Sequence, residues 1–402
     1  MMAGPEPDSF PFRLAPEDFG TPSGLYARRQ KECPLGQIRL PSGDLAHLVM
    51  GYEDVDLVLR DRRFSRNFRY PGAPRLVTED DMSANPDAIV NLDPPEHTRL
   101  RRNLHGVFSP SKSGRWRPVV ERIVGDLLDS VAAAGPPADL VAGYASLLPI
   151  RVICELLDVP PDDQERLIGW TGTFFSTASA SLHERAEANL EFFTYVRDLV
   201  ASRRARPGNG LVDSLIHAAD VRGTLSEAEL YQMIVALFIG GQENTSATLA
   251  RGVFTLLRDR AQYEALCADP GLVDSAVEEI LRFDVPSEGA FLRVATEDVR
   301  LSPGAIPKGC AVQASLAAAN RDTSYFTDPE RFDVRRDPNP HMTFGAGAHF
   351  CVGAPLARLE LQIALAMLVS RFPGLRLAVP VGDIRYAQDT LVRAVLTLPV
   401  TW

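Results

Sequence analysis

The run Phe344-Gly-Ala-Gly-Ala-His-Phe-Cys-Val-Gly353 concentrates the reactive residue types of this chain, and the amphipathic helical stretch APLARLELQIALAMLVSRF follows it directly. Cys351 therefore stands in a Gly-rich loop at a helix N-terminus, where backbone N–H groups and the positive end of the helix dipole stabilise a thiolate. Glycines let the backbone pass close to a flat ligand, and Phe344 can shield the sulfur from solvent. A lone buried cysteine is more commonly a small hydrophobic filler, so the setting carries the argument. Cys33, Cys154, Cys267 and Cys310 are scattered, with no pair at metal-ligand or redox-motif spacing. A reducing cytoplasm fits that pattern.

A second unusual element is Gly240-Gly241-Gln242-Glu243-Asn244-Thr245, inside a long apolar helical pattern. Each glycine in a helix interior costs about 1 kcal/mol relative to Ala, so the pair needs a reason. Close packing against another helix is one, and a ligand lying against the helix is the other. Elsewhere Glu279 and Arg282 stand one turn apart, the spacing at which an ion pair forms.

The loop resembles the heme-ligand signature of the cytochrome P450 family, Phe-Gly-x-Gly-x-His-x-Cys-x-Gly, with every fixed position present. This resemblance implies that Cys351 is the proximal iron ligand of heme b, within a loop whose Phe344 and Gly353 contact the cofactor and whose His349 donates to a propionate. Asp93-Pro-Pro-Glu-His-Thr-Arg-Leu-Arg101 resembles another landmark, making His97 and Arg101 propionate ligands, and Arg293 in FLRVATEDV matches a third. Two carboxylates among these donors would be well compensated. Glu279 and Arg282 match the family's buried structural pair, which Arg331 of Pro-Glu-Arg-Phe is expected to complete. The double-glycine helix takes the place above the iron, with Gly240 and Gly241 opening an oxygen groove and Glu243 as the solvent-linked acid. Where the family usually carries Thr, this chain has Asn244, followed by Thr245; an amide cannot pass on a proton as a hydroxyl can. The similarity runs from about residue 45 to the end. It implies a monooxygenase taking dioxygen, a small organic substrate, and electrons from a separate ferredoxin and ferredoxin reductase. Ring closure, coupling or peroxide-driven oxidation remains the alternative that Asn244 leaves open.

Positioning these groups requires a mainly α fold with small accessory β-sheets, read as a single domain over 1–402 and as a monomer. Ser226 and Glu229 form a capping-box signature, and the helical pattern then continues to about Arg258. Its centre, MIVALFIGG, is apolar all round and predicts burial. QIRLPSGDLAHLVMG reads as a β-hairpin, and DVRLSPG, AVQASLAAA and VRAVLTLPVTW read as short strands. Residues 69–91 read as an irregular loop. The part of it from Tyr70 to Asn91, Ala236 and Gly240, Gly289 to Phe291, and Leu391 with Val392 are expected to line the substrate pocket, with the small residues at 289 and 290 making it roomy.

The chain has 402 residues, 45% hydrophobic and 23% charged, enough for a sizeable core. A net charge of −10 with no basic run excludes nucleic acid as the main partner. No signal-peptide pattern and no run of ~18 apolar residues occurs, so neither export nor a membrane anchor is expected. Arg99, Arg102 and Arg358 are expected to form a local basic patch for an acidic ferredoxin. Replacing Cys351 by Ala is expected to abolish the red-shifted carbon-monoxide spectrum of a ferrous heme-thiolate, while Cys33, Cys154, Cys267 and Cys310 are each replaceable; a normal spectrum from Cys351→Ala rejects the ligand assignment.

Overall fold

The computed structural model describes residues 7–10, 12, 24–70, 73–76, 85–175, 182–287, 289–387 and 392–402. Among the helices that position the site are Tyr52–Arg60 (α1), Glu96–Arg101 (α2), Arg117–Ala134 (α3), Leu147–Leu156 (α4), Glu227–Arg258 (α5), Val273–Phe283 (α6) and Ala354–Arg371 (α7). Their apolar residues recur three and four apart, and α3 illustrates the result by burying Val120, Ile123, Val124, Leu127, Leu128 and Val131 along one face. Fully burying a side chain of this kind contributes roughly 1.5–3 kcal/mol.

The long helix starts where its cap predicts. Glu229 N–H donates to Ser226 Oγ at 3.2 Å, and Ser226 N–H donates to a Glu229 carboxylate oxygen at 2.8 Å. Helices α4, α6 and α7 pack against α5, and α3 packs against α4 and α7. Their apolar faces merge into one cluster, while a second gathers residues of the first 64 positions and of the main sheet. No helix among the described residues is long and apolar enough to cross a membrane.

That sheet comprises Asp8–Ser9 (β1), Leu35–Arg39 (β2), Leu45–Val49 (β3), Phe64–Ser65 (β4), Arg293–Ala295 (β5) and Ala311–Ala314 (β6), in the order β1-β2-β3-β6-β5-β4. The predicted hairpin is present as antiparallel β2 and β3, with Leu35 opposite Val49. Strand β6 joins β3 in parallel and β5 antiparallel, which brings Arg293 opposite Val312. The run AVQASLAAA is only half strand: Leu316–Ala319 turns helical because Ser315 Oγ accepts from Ala318 N–H at 3.1 Å, an N-cap. Within the predicted 69–91 loop, Ile89–Asn91 forms a short helical turn, while residues 71–72 and 77–84 lie outside the described residues.

Glu279 and Arg282 on α6 form a fully buried ion pair, with Arg282 Nε and Nη2 donating at 2.7 and 2.8 Å. The third member is Arg336, not Arg331. Arg336 Nε lies 3.1 Å from Glu279, whereas the Arg331 side chain is 66% exposed and faces Asp333 at 3.4 Å. Arg331 contributes its carbonyl instead, accepting from Arg282 and Arg336. Backbone N–H of Asp333 and the Asn339 amide complete the carboxylate's shell at 2.9 and 3.1 Å. Removing one partner of a buried pair leaves charge uncompensated, a loss of about 3–5 kcal/mol, while exposed pairs contribute about 0–1 kcal/mol. Arg336→Ala is therefore expected to destabilise the folded protein by about 3 kcal/mol or more, and Arg331→Ala by less than about 1 kcal/mol. Urea unfolding checks this, and equal losses for the two variants contradict the assignment.

Candidate active site

Gly345 and Gly347 shape the loop before Cys351. Both have positive φ, 69° and 68°, which side chains other than glycine rarely adopt. A Cβ on Gly347 would also stand 2.6 Å from the Leu59 carbonyl at the end of α1. Gly353 is different: its φ is −80°, and an added Cβ would meet Cys351 Sγ at an ordinary 3.9 Å. Cys351 N–H donates to Phe344 O at 2.9 Å, closing the loop on itself. The cysteine side chain is accessible to solvent, yet it lies deep enough that burial pushes its thiol above the ordinary value. A wall facing an interior slot has both properties. Backbone N–H groups of Gly353 and Ala354, with the charges of Arg101 and Arg358, oppose that rise.

Helix α2 brings His97 and Arg101 onto this loop. Arg101 Nη1 and Nη2 donate to the carbonyls of Ala348 and Phe350 at 3.1 and 2.5 Å, and the His97 and His349 rings lie 4.2 Å apart. Burial lowers His97 to about 4, with Arg101 adding to the effect. His349 falls to about 2, from burial first and then from His97, Arg293, Arg66 and Arg101. Both rings are therefore neutral at pH 7. Arg293, on β5, donates to Phe64 O at 3.1 Å, while its Nε and His349 Nε2 are buried without a protein partner. Buried polar atoms of this kind are rare and call for a partner. A planar group carrying two carboxylates, set against an open sulfur, satisfies that demand, so these residues fit an iron porphyrin.

Sequence reasoning missed one cation here. Arg66, just after β4, is 2% exposed and lies close enough to depress His349 electrostatically, while burial and then Arg293 depress Arg66 itself. Its Nε donates to Val90 O at 2.8 Å, and its other nitrogens donate to Leu292 O and Asn91 Oδ1. The guanidinium also stacks over Phe68 and Phe291, 4.7 and 4.8 Å from the ring centroids. Nothing in FSRNF marks this role, because each partner is far away in sequence or follows from tertiary packing.

On α5 the two glycines divide the two explanations between them. A Cβ on Gly241 would press Ile153 of α4 at 3.2 Å, so Gly241 serves helix packing. Gly240 is exposed mid-helix with open space beside it, the property of a groove. Glu243 is half-buried and burial raises its carboxyl above the usual range. Asn244 is half-buried, Thr245 is buried, and Thr248 Oγ1 donates to Asn244 O at 2.7 Å.

Several pocket and surface expectations change. Gly289 is small because a Cβ there would meet the Gln313 side chain at 2.0 Å, not because the cavity is roomy. Gln313 Nε2 holds the Ala290 carbonyl at 2.6 Å. Phe291 is 53% exposed, Ala236 half-buried and Val392 buried, while Leu391 lies outside the described residues. Of the predicted docking arginines, Arg99 is paired with Glu229 and Arg358 with Glu278, which weakens the basic patch.

The family model described as cytochrome P450 matches residues 152–385. Mycinamicin IV hydroxylase/epoxidase of Micromonospora griseorubida is 42% identical over the whole of both chains. Nocardicin C N-oxygenase of Nocardia uniformis subsp. tsuyamanensis is 42% identical over 96% of this chain and 98% of its own. Among solved structures, the LnmA cytochrome P450 hydroxylase from the leinamycin pathway of Streptomyces atroolivaceus superposes with a TM-score of 0.90 at 39% identity, covering 98% of this chain and all of its own. Identity at this level along the full chain, the matching fold and the cysteine loop lead to one conclusion: the chain belongs to the cytochrome P450 family.

Proposed function

We propose that this P450 monooxygenase holds heme b between the Cys351 loop and the groove at Gly240, and oxidises a natural-product intermediate with electrons from a separate ferredoxin and reductase. Two openings in otherwise packed elements carry the reading: an accessible cysteine at the start of α7 and an exposed glycine in the middle of α5. The bound heme supplies dioxygen activation and one-electron redox chemistry. The chain works as one unit in the cytoplasm.

Residues of the chain do the rest. Backbone N–H groups at the start of α7 favour negative charge on Cys351 Sγ, against the burial that raises the thiol. Arg293 Nε and His349 Nε2 would donate to the propionates, assisted by His97. Arg101 steadies the carbonyls beside His349 and Cys351, with further N–H donors left for a propionate. Glu243, kept protonated to higher pH by burial, is the distal proton source. Asn244 orients water through its amide, and Thr248 turns its hydroxyl to the Asn244 carbonyl. Thr245 assists less directly, about 100° further round the helix. The Asn244 amide, at the family's usual Thr position, favours a second reading in which the oxidation ends in ring closure, coupling or peroxide-driven chemistry. Similarity to a hydroxylase/epoxidase and to an N-oxygenase supports natural-product tailoring without fixing the bond oxidised.

The test uses surrogate ferredoxin and reductase, with mycinamicin IV and nocardicin C as probe substrates. Glu243→Gln is expected to slow product formation by about 10² or more, the usual size of a lost general acid. Asn244→Ala should raise peroxide released per NADPH consumed, and Asn244→Thr should keep it at or below the wild-type value. Peroxide yields unchanged in both Glu243→Gln and Asn244→Ala would place the proton source elsewhere and favour the second reading.

A further inference from the structure

Arg358, expected to face a redox partner, is instead locked into a cluster drawn from three parts of the chain. Its Nε and Nη2 donate to the two carboxylate oxygens of Glu278 on α6 at 2.7 and 2.8 Å, a bidentate fork. Glu278 Oε2 also lies 3.0 Å from Nε2 of His341, whose side chain is only 1% exposed. His341 Nδ1 accepts from Thr343 N–H at 3.3 Å, so the ring proton sits on Nε2 and points to Glu278. Burial works against ionising Glu278, yet the His341 and Arg358 hydrogen bonds prevail and hold it near 2. Arg358 places its guanidinium 4.5 Å from the centroid of the Phe344 ring. Phe344 in turn accepts the Cys351 N–H through its carbonyl.

The cluster therefore touches the cysteine loop in two ways. It holds a guanidinium against the Phe344 ring, and it places the Arg358 charge where it acts on Cys351, with the Glu278 carboxylate forked to that guanidinium partly offsetting it. We infer that Glu278 and Arg358, steadied by His341, are positioning residues that tune the one-electron ferric/ferrous equilibrium of the bound heme by fixing the net field at Cys351. A positive charge near the sulfur favours the added electron, and a carboxylate opposes it. Thus the two members of one ion pair act on the equilibrium with opposite sign. A purely structural clamp behaves otherwise, because breaking it from either side disturbs the loop in the same direction.

This rests on the heme-thiolate reading, and the experiment separates the two. Midpoint potentials are measured by dithionite titration of the heme-loaded protein, alongside the carbon-monoxide spectrum of each ferrous form. Glu278→Gln is expected to raise the reduction equilibrium constant about tenfold, equivalent to ~59 mV for one electron. Arg358→Gln should lower it by a similar factor, and the double variant should return close to the wild-type value. Arg358→Lys keeps the charge without the fork and should stay within about threefold of wild type, the tolerance expected for a retained charge at slightly changed distance. Shifts of the same sign in both single variants, or no shift in either, with the red-shifted carbon-monoxide band intact, overturn the tuning role alone. Absence of that band in the wild-type protein overturns the thiolate reading and the tuning role with it.

Discussion

An ionisable sulfur held inside a protein, open on one side and enclosed on the others, is the constraint around which this structure is arranged. Burial alone pushes the Cys351 thiol up and would keep it neutral. The opposing pull comes from backbone N–H groups at the first turn of an 18-residue helix and from Arg101 and Arg358. Those contributions depend on the loop reaching the helix at the right angle, which depends on glycines at 345 and 347 and on the Phe344 carbonyl accepting the Cys351 N–H. Local backbone geometry therefore controls an electrostatic property of one side chain.

Charge is handled differently in the three clusters around the loop. Glu279 is surrounded by Arg282, Arg336, Asn339 and a backbone N–H, so its shell is complete and its role is cohesion. His97, Arg101, Arg293 and His349 converge with donors left over, which is a binding arrangement. Glu278 and Arg358 balance each other beside the Phe344 ring of the loop while remaining partly exposed, at 28% and 31%. Similar residue types thus do three jobs, separated by how fully their partners satisfy them.

Much of this was legible because the signals are local. A capping box needs residues three apart, and Ser226 with Glu229 marked the start of a 32-residue helix correctly. The hairpin at 35–49 and the cysteine loop are likewise short-range patterns. What stayed hidden depends on which distant element arrives. Arg331 and Arg336 are equally placed in sequence to reach Glu279, and only the path of the intervening turn selects Arg336. Gly240 and Gly241 look alike until α4 presses Ile153 against one of them. Gly289 looked like space for a substrate until Gln313 filled it. Arg66 gave no signal, since its partners Val90, Asn91 and Leu292 come from other parts of the chain.

The approach of Gly347 to the last turn of α1 has a consequence for anyone transplanting or redesigning this loop. Its Cα sits where even a methyl group would stand 2.6 Å from the Leu59 carbonyl and 3.1 Å from the Arg60 Cα. The two backbones are in effect a bearing surface with no room for a shim. A loop moved into another scaffold would therefore need a matching helix end beneath it, or the cysteine would ride too high above its seat. An insertion in α1 would likewise be transmitted across this contact to a residue almost 300 positions later. The N-terminal part of the chain, which carries none of the signature, thereby sets the height of the residue that defines it.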